Sequence, residues 1–147
     1  MRITLRSYYA VIALAVMASR SGEGGRVRME EISAEHPIPE PFLLQIFQVL
    51  RRGGLIRSKR GTGGGYALTR PPDRITLSEI LQVVEGPILP SPLEERANGR
   101  EIPSGWAGLE DLWGEIRSKV LEVGDSHTLA DIAERLNRRE DAEMYYI

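Results

Sequence analysis

Four glycines in five residues, Gly61-Thr62-Gly63-Gly64-Gly65, constrain this chain more than any other feature. Glycine reaches positive φ without steric cost, so such a run reverses a chain tightly. Two short runs flank it, Leu55 to Lys59 and Tyr66 to Thr69, and both read as extended. Two extended runs joined through glycines make a β-hairpin. The run lacks the Gly-Lys-Ser/Thr ending of a loop that cradles nucleotide phosphates.

Helical patterns surround the hairpin. Tyr9, Ile12, Ala13, Val16 and Met17 recur at three- and four-residue steps, predicting a helix over 6–20 that Ser21-Gly22-Glu23-Gly24-Gly25 ends. Arg26-Val27-Arg28 alternates like a short strand. Met29 to His36 reads as a short helix with Ile32 inward, and His36-Pro37-Ile38-Pro39 as a turn, because a residue before proline avoids the helical region. A second helix starts near Glu40, with Pro41 in the first turn, where a missing N–H does no harm. Leu43, Ile46, Phe47 and Leu50 form its apolar stripe, and Gly53-Gly54 stops it. After the hairpin, Thr76-Leu77-Ser78-Glu79 has the pattern of a capping box, opening a helix that Gly86-Pro87 closes.

Residues 87–105 are rich in Pro, Ser and Gly and read as a linker. Trp106, Leu109, Trp113, Ile116, Val120 and Val123 then fall on a heptad seam, the mark of a helix that packs against another helix. Thr128 opens a last short helix. The expected division is a DNA-binding domain over 1–86, a linker over 87–105, dimerisation helices over 106–138 and a tail over 139–147. The fold class is mainly α with a small β-hairpin: a winged helix-turn-helix plus a long dimerisation helix.

Helix, turn, helix, strand, glycine loop, strand is the order of a winged helix-turn-helix, and this order assigns roles. The second helix enters the major groove by its N-terminal turn. Glu40, Pro41, Phe42, Gln45 and Gln48 are its candidate readers, and Gln45 can pair bidentately with adenine. Phe42 suits the core equally well. On the wing, Ser58, Lys59, Arg60, Gly61, Thr62, Gly63 and Gly64 suit contact with phosphate or the minor groove, or form a solvated hairpin tip. Arg2, Thr4 and Arg6 either pin the first helix to the DNA backbone or are ordinary surface.

Charge agrees with a polyanionic partner. Residues 1–74 carry 12 Lys and Arg against 6 Asp and Glu, while 75–147 carry 7 against 15, a division hidden by the net charge of -2. The chain has no cysteine, which excludes disulfides and cysteine-held zinc or iron–sulfur groups and fits a reducing cytoplasm. Its longest apolar run, Tyr8 to Ala18, is too short to span a bilayer, and no secretory cleavage pattern follows it, so a cytoplasmic location is expected. An enzyme is disfavoured. The only histidines, His36 and His127, lie in turns with no paired base, nucleophile or ligand spacing. No cofactor is expected.

At Met1-Arg2-Ile3-Thr4 with Tyr9-Ala10, Leu50 to Ile56, Arg60 to Tyr66, Arg70-Pro71-Pro72 with Ile75-Thr76-Leu77, and Val84-Glu85-Gly86-Pro87, the chain resembles the Rrf-two (Rrf2) family of bacterial regulators. The resemblance covers nearly the whole chain. It implies a homodimer in which the long helix crosses its partner, and a palindromic double-stranded DNA operator. Cluster-binding members carry cysteines between the Glu-Gly-Pro corner and the long helix, whereas Ile88 to Gly105 has none, so iron–sulfur chemistry is not expected. Many members have Glu-Gln where this chain has Leu44-Gln45. The back half, through Leu112-Trp113, Ile116-Arg117, Glu122-Val123, Asp125-Ser126, Thr128-Leu129 and Met144-Tyr145-Tyr146-Ile147, is most similar to members that repress cysteine metabolism. That similarity implies cysteine synthase as a partner, because an isoleucine carboxylate at a chain end suits a site that captures amino-acid carboxylates. The alternative for Met144 to Ile147 is packing on the dimer body. The alternative for the signal is a small ligand near Trp106, Trp113 or the linker.

Overall fold

The computed structural model describes residues 2–23, 25–93 and 103–146. Helices α1 (Leu5–Ser19), α2 (Met29–Glu35) and α3 (Glu40–Arg52) come first. Strands β1 (Ile56–Lys59) and β2 (Gly65–Leu68) follow, then α4 (Leu77–Glu85), α5 (Ser104–Asp125) and α6 (Leu129–Met144). The core joins Ala10, Ala13, Leu14 and Met17 of α1, Ile32 of α2, Leu43, Ile46, Phe47 and Leu50 of α3, Ile75 and Ile80 around α4, and Leu129 and Ala133 of α6. The stripe read for α3 is buried in full, whereas of the α1 stripe Ala13, Val16 and Met17 are buried and Tyr9 and Ile12 only partly so.

Local chemistry sets each boundary. Thr4 caps α1 by accepting from the Ser7 N–H at 3.2 Å. Glu31 accepts from the Arg28 N–H at 2.6 Å and opens α2. The end of α3 is a Schellman motif: Leu55 N–H donates to the Leu50 carbonyl at 3.0 Å and Gly54 N–H to that of Arg51 at 3.1 Å. Gly54 takes the required positive φ of 76°. Gly53 lies so close to Val83 that any side chain there would collide with α4.

The hairpin is antiparallel, with Ile56 opposite Leu68 and Lys59 opposite Gly65. Arg26-Val27-Arg28 contributes one bridge, Val27 to Tyr66, bonded both ways at 2.8 Å. The strand expected there is thus a single residue long, because the chain turns into α2 at once. Gly65, at φ 132°, brings β2 so near Val27 that a Cβ would stand 2.9 Å from its carbonyl oxygen.

Three elements differ from the sequence reading. Thr76 caps α4 by accepting from the Glu79 N–H at 3.3 Å, but Glu79 does not complete a capping box. Its carboxylate pairs with Arg70 instead, a charged donor that outcompetes a backbone N–H. The first part of the expected linker packs against α5: Ile88 and Ser91 are buried, Ser91 donates to Glu110 at 2.6 Å, and Arg117 donates to the Leu89 carbonyl at 2.6 Å. Residues 94–102 of that linker lie outside the described residues. Finally, α6 is not short. It spans 16 residues, runs beyond Arg138 to Met144, and docks on α1 through Leu129, Ile132, Ala133 and Leu136. Leu77 N–H to the His127 carbonyl (2.9 Å) and Leu129 N–H to that of Ile75 (2.8 Å) fasten its start to the start of α4.

Candidate nucleic-acid interface

Helix α3 has two distinct faces. Leu43, Ile46, Phe47 and Leu50 are buried, while Glu40, Pro41, Phe42, Leu44, Gln45 and Gln48 are exposed. Its position is fixed from several sides. Pro39 accepts from the N–H groups of Phe42 at 3.0 Å and Leu43 at 3.2 Å. The preceding turn closes with Ile38 N–H donating to the His36 carbonyl at 2.7 Å. Phe47 meets Tyr66 edge to face at 4.5 Å between ring centroids, which ties α3 to the wing. Phe42 is not a core residue: its ring meets Tyr9 edge to face at 6.3 Å and remains 50% exposed.

The wing presents cations on a backbone that only glycine allows. In β1 only Ile56 is buried, and Arg57, Ser58 and Lys59 are exposed, as are Arg60, Gly61, Thr62 and Gly63 beyond it. Gly61 and Gly63 have φ of 87° and 71°. Gly64 is bare for another reason: a Cβ would lie 2.5 Å from the Lys59 carbonyl oxygen and 2.7 Å from that of Gly61. Arg26 donates to the Gly63 carbonyl at 3.4 Å and braces the tip, a contact the sequence alone did not reveal. Among the described residues, ion pairs engage Arg20, Arg70, Lys119 and Arg138, but none of Arg57, Lys59 and Arg60. Helix face and wing therefore offer hydrogen-bonding amides and unneutralised cations, which is what reading base edges and holding phosphates requires.

At the start of α1, Arg2 and Arg6 are exposed. Thr4 is engaged within the chain. Its hydroxyl caps α1 and donates to Glu85, which also accepts from the buried Ser7 hydroxyl. The Ser7 and Thr4 hydroxyls, with the charge of Arg6, hold the Glu85 carboxyl below the usual glutamate range. Sequence reasoning missed this latch because 81 residues separate Thr4 from Glu85.

The heptad seam of α5 lies open in the single chain. Trp106, Leu109, Trp113, Ile116 and Val123 are exposed and Val120 is half-buried. At the far end, Met144, Tyr145 and Tyr146 are exposed, the tyrosines at 90% and 92%, and none of the three packs on the body of this chain. Ile147 lies outside the described residues.

A helix-turn-helix whose second helix carries exposed amides, followed by a cationic glycine wing, defines a winged-helix DNA-binding protein. Comparison with known proteins agrees. The sequence model of the Rrf2 family, described as an iron-dependent transcriptional regulator, matches residues 3–135. The chain is 37% identical over 147 residues to the HTH-type transcriptional regulator CymR of Bacillus subtilis, covering 100% of both proteins. It is 41% identical over 134 residues to IscR of Cereibacter sphaeroides, covering 90% of this chain and 86% of that one. The solved structure of CymR, the global cysteine regulator of B. subtilis, superposes with a TM-score of 0.72 at 35% identity, covering 92% of this chain and 98% of that one. The chain belongs to the Rrf2 family of transcriptional regulators.

The iron in the family's description does not fit the residues described. No three His, Cys, Asp or Glu side chains gather among them as a ligand set, and the sequence has no cysteine to supply thiolate.

Proposed function

We propose that this regulator is a homodimeric repressor of cysteine- and sulfur-metabolism genes. It reads a palindromic operator with α3 and the wing, and cysteine synthase signals to it by docking on Met144 to Ile147. Support for the regulon comes from the full-length likeness to CymR. Dimerisation is supported by the apolar seam of α5, a helix about 33 Å long at 1.5 Å per residue in which Gly124 alone is buried. A helix so little covered gains its stability from a partner. The observation that carries the signalling step is the exposure of Met144, Tyr145 and Tyr146, which leaves two aromatic rings for another protein to cover.

Titration into cysteine synthase, read by the fluorescence of its pyridoxal phosphate, tests this. The full-length protein gives a saturable change, and a version lacking Tyr145 to Ile147 gives none. No change with the full-length protein refutes the docking.

A second reading has its own observation. A cavity of about 290 Å³, lined by Ile3, Val11, Ile12, Leu81, Ile132 and Leu136, lies where α1, α4 and α6 meet. Its walls suit a small apolar effector, and its place differs from the Trp106 and Trp113 neighbourhood expected from the sequence. A metabolite that raises the melting temperature and changes operator affinity would favour this reading over the docked tail.

A further inference from the structure

Leu44 is an apolar side chain on the exposed face of α3. It is 47% exposed, and the helical repeat sets it in line with Pro41 and Gln48, beside Gln45. The buried stripe of Leu43, Ile46, Phe47 and Leu50 lies on the other side of α3. Phe42, by contrast, rests partly on Tyr9. Leu44 thus joins the amides on the face turned away from the core, in the half of the helix that leads into the groove.

The major groove has one apolar feature to offer such a side chain, the C5-methyl group of thymine. We propose that Leu44 is a specificity residue that packs on a thymine methyl in each half-site, next to the base contacted by Gln45. This rests on the reading of α3 as the groove helix and deepens it. A glutamine suited to the N6 and N7 atoms of adenine and a leucine suited to a thymine methyl, one residue apart, favour a half-site containing an A·T step. A glutamate at position 44 would instead suit the amino group of cytosine, so leucine here changes the class of base sought.

The test uses the full-length protein and duplex DNA recovered by selection from a random pool. Each half-site thymine is replaced in turn by deoxyuridine, which pairs with adenine in the same way and lacks only the methyl. We expect one replacement per half-site to weaken binding about three- to fivefold, the effect of uncovering one methyl-sized group. In Leu44→Ala that replacement has no further effect, while the other replacements behave as in the wild type. Leu44→Gln, which keeps a long side chain without the apolar end, behaves as Leu44→Ala does.

The proposal is overturned if no deoxyuridine weakens binding, if the selected half-sites lack thymine, or if the penalty persists in Leu44→Ala. It is also overturned if Leu44→Ala changes only the oligomeric state, which would make Leu44 a contact between copies. Arg60→Ala separates this failure from that of the underlying reading. If it too leaves DNA binding intact, the assignment of helix and wing fails, and Leu44 fails with it.

Discussion

Glu85 closes α4 and holds the beginning of α1, since the Thr4 and Ser7 hydroxyls both donate to it. Its carboxyl is more acidic than usual, chiefly because of the Ser7 hydroxyl and then that of Thr4. A folded-state pKa below the unfolded one stabilises the protein above the usual carboxylate range, and the contribution is lost as pH falls through the depressed value. Glu85→Gln should therefore melt below the wild type at neutral pH, with the difference closing on acidification. Melting temperatures measured from pH 7 to pH 3 check this, and a constant difference would mean that the charge of Glu85 contributes nothing. Asp131 is depressed in the same direction, by the Thr128 N–H and then its hydroxyl, so Glu85→Gln still loses some stability in acid. Leu44 teaches a related lesson. Its composition argues for the core and its angular position argues against it, and in α3 position decides.

Elements that depend on neighbouring residues were legible in the sequence. The Gly61–Gly65 reversal, the stop at Gly53-Gly54 and the Thr76 cap each follow from a few adjacent residues. What depends on distant partners was not. The spacing of Leu129, Ile132, Ala133 and Leu136 marks an apolar face, but nothing local says that α1 covers it. Glu79 has the right position for a capping box, and only the folded chain brings Arg70 to it. Gly124 is a similar case. As a glycine in a helix it looks like a defect, yet a Cβ there would stand 2.8 Å from the Ser78 Cβ. The close approach lets Asp125 accept from both Ser78 and Thr76, joining α5 to the start of α4. Gly124→Ala should destabilise the fold by about 1–3 kcal/mol through overpacking, despite the better helix propensity of alanine. Chemical denaturation measures this, and a gain in stability would show that α4 and α5 separate easily.

Taken whole, the chain combines a basic front half with an acidic back half in which α5 exposes its seam and α6 returns to α1. A winged helix with one groove-entering helix reads one half-site, so reading a palindrome requires two copies at fixed spacing. If α5 supplies that spacing, Trp113→Asp should yield a folded monomer in sedimentation and weaken operator binding at least tenfold. A variant that remained dimeric would move the interface elsewhere. Beneath dimer, signal and regulon lies the claim that α3 and the wing hold DNA. The most direct test is the salt dependence of binding to the selected duplex, compared between the wild type and Arg60→Ala. Loss of one phosphate contact per protomer should make the slope of log affinity against log salt shallower by about one for each site lost and weaken binding to all sequences alike. Equal slopes and equal affinities would contradict the wing's role and the orientation of the protein on DNA derived from it.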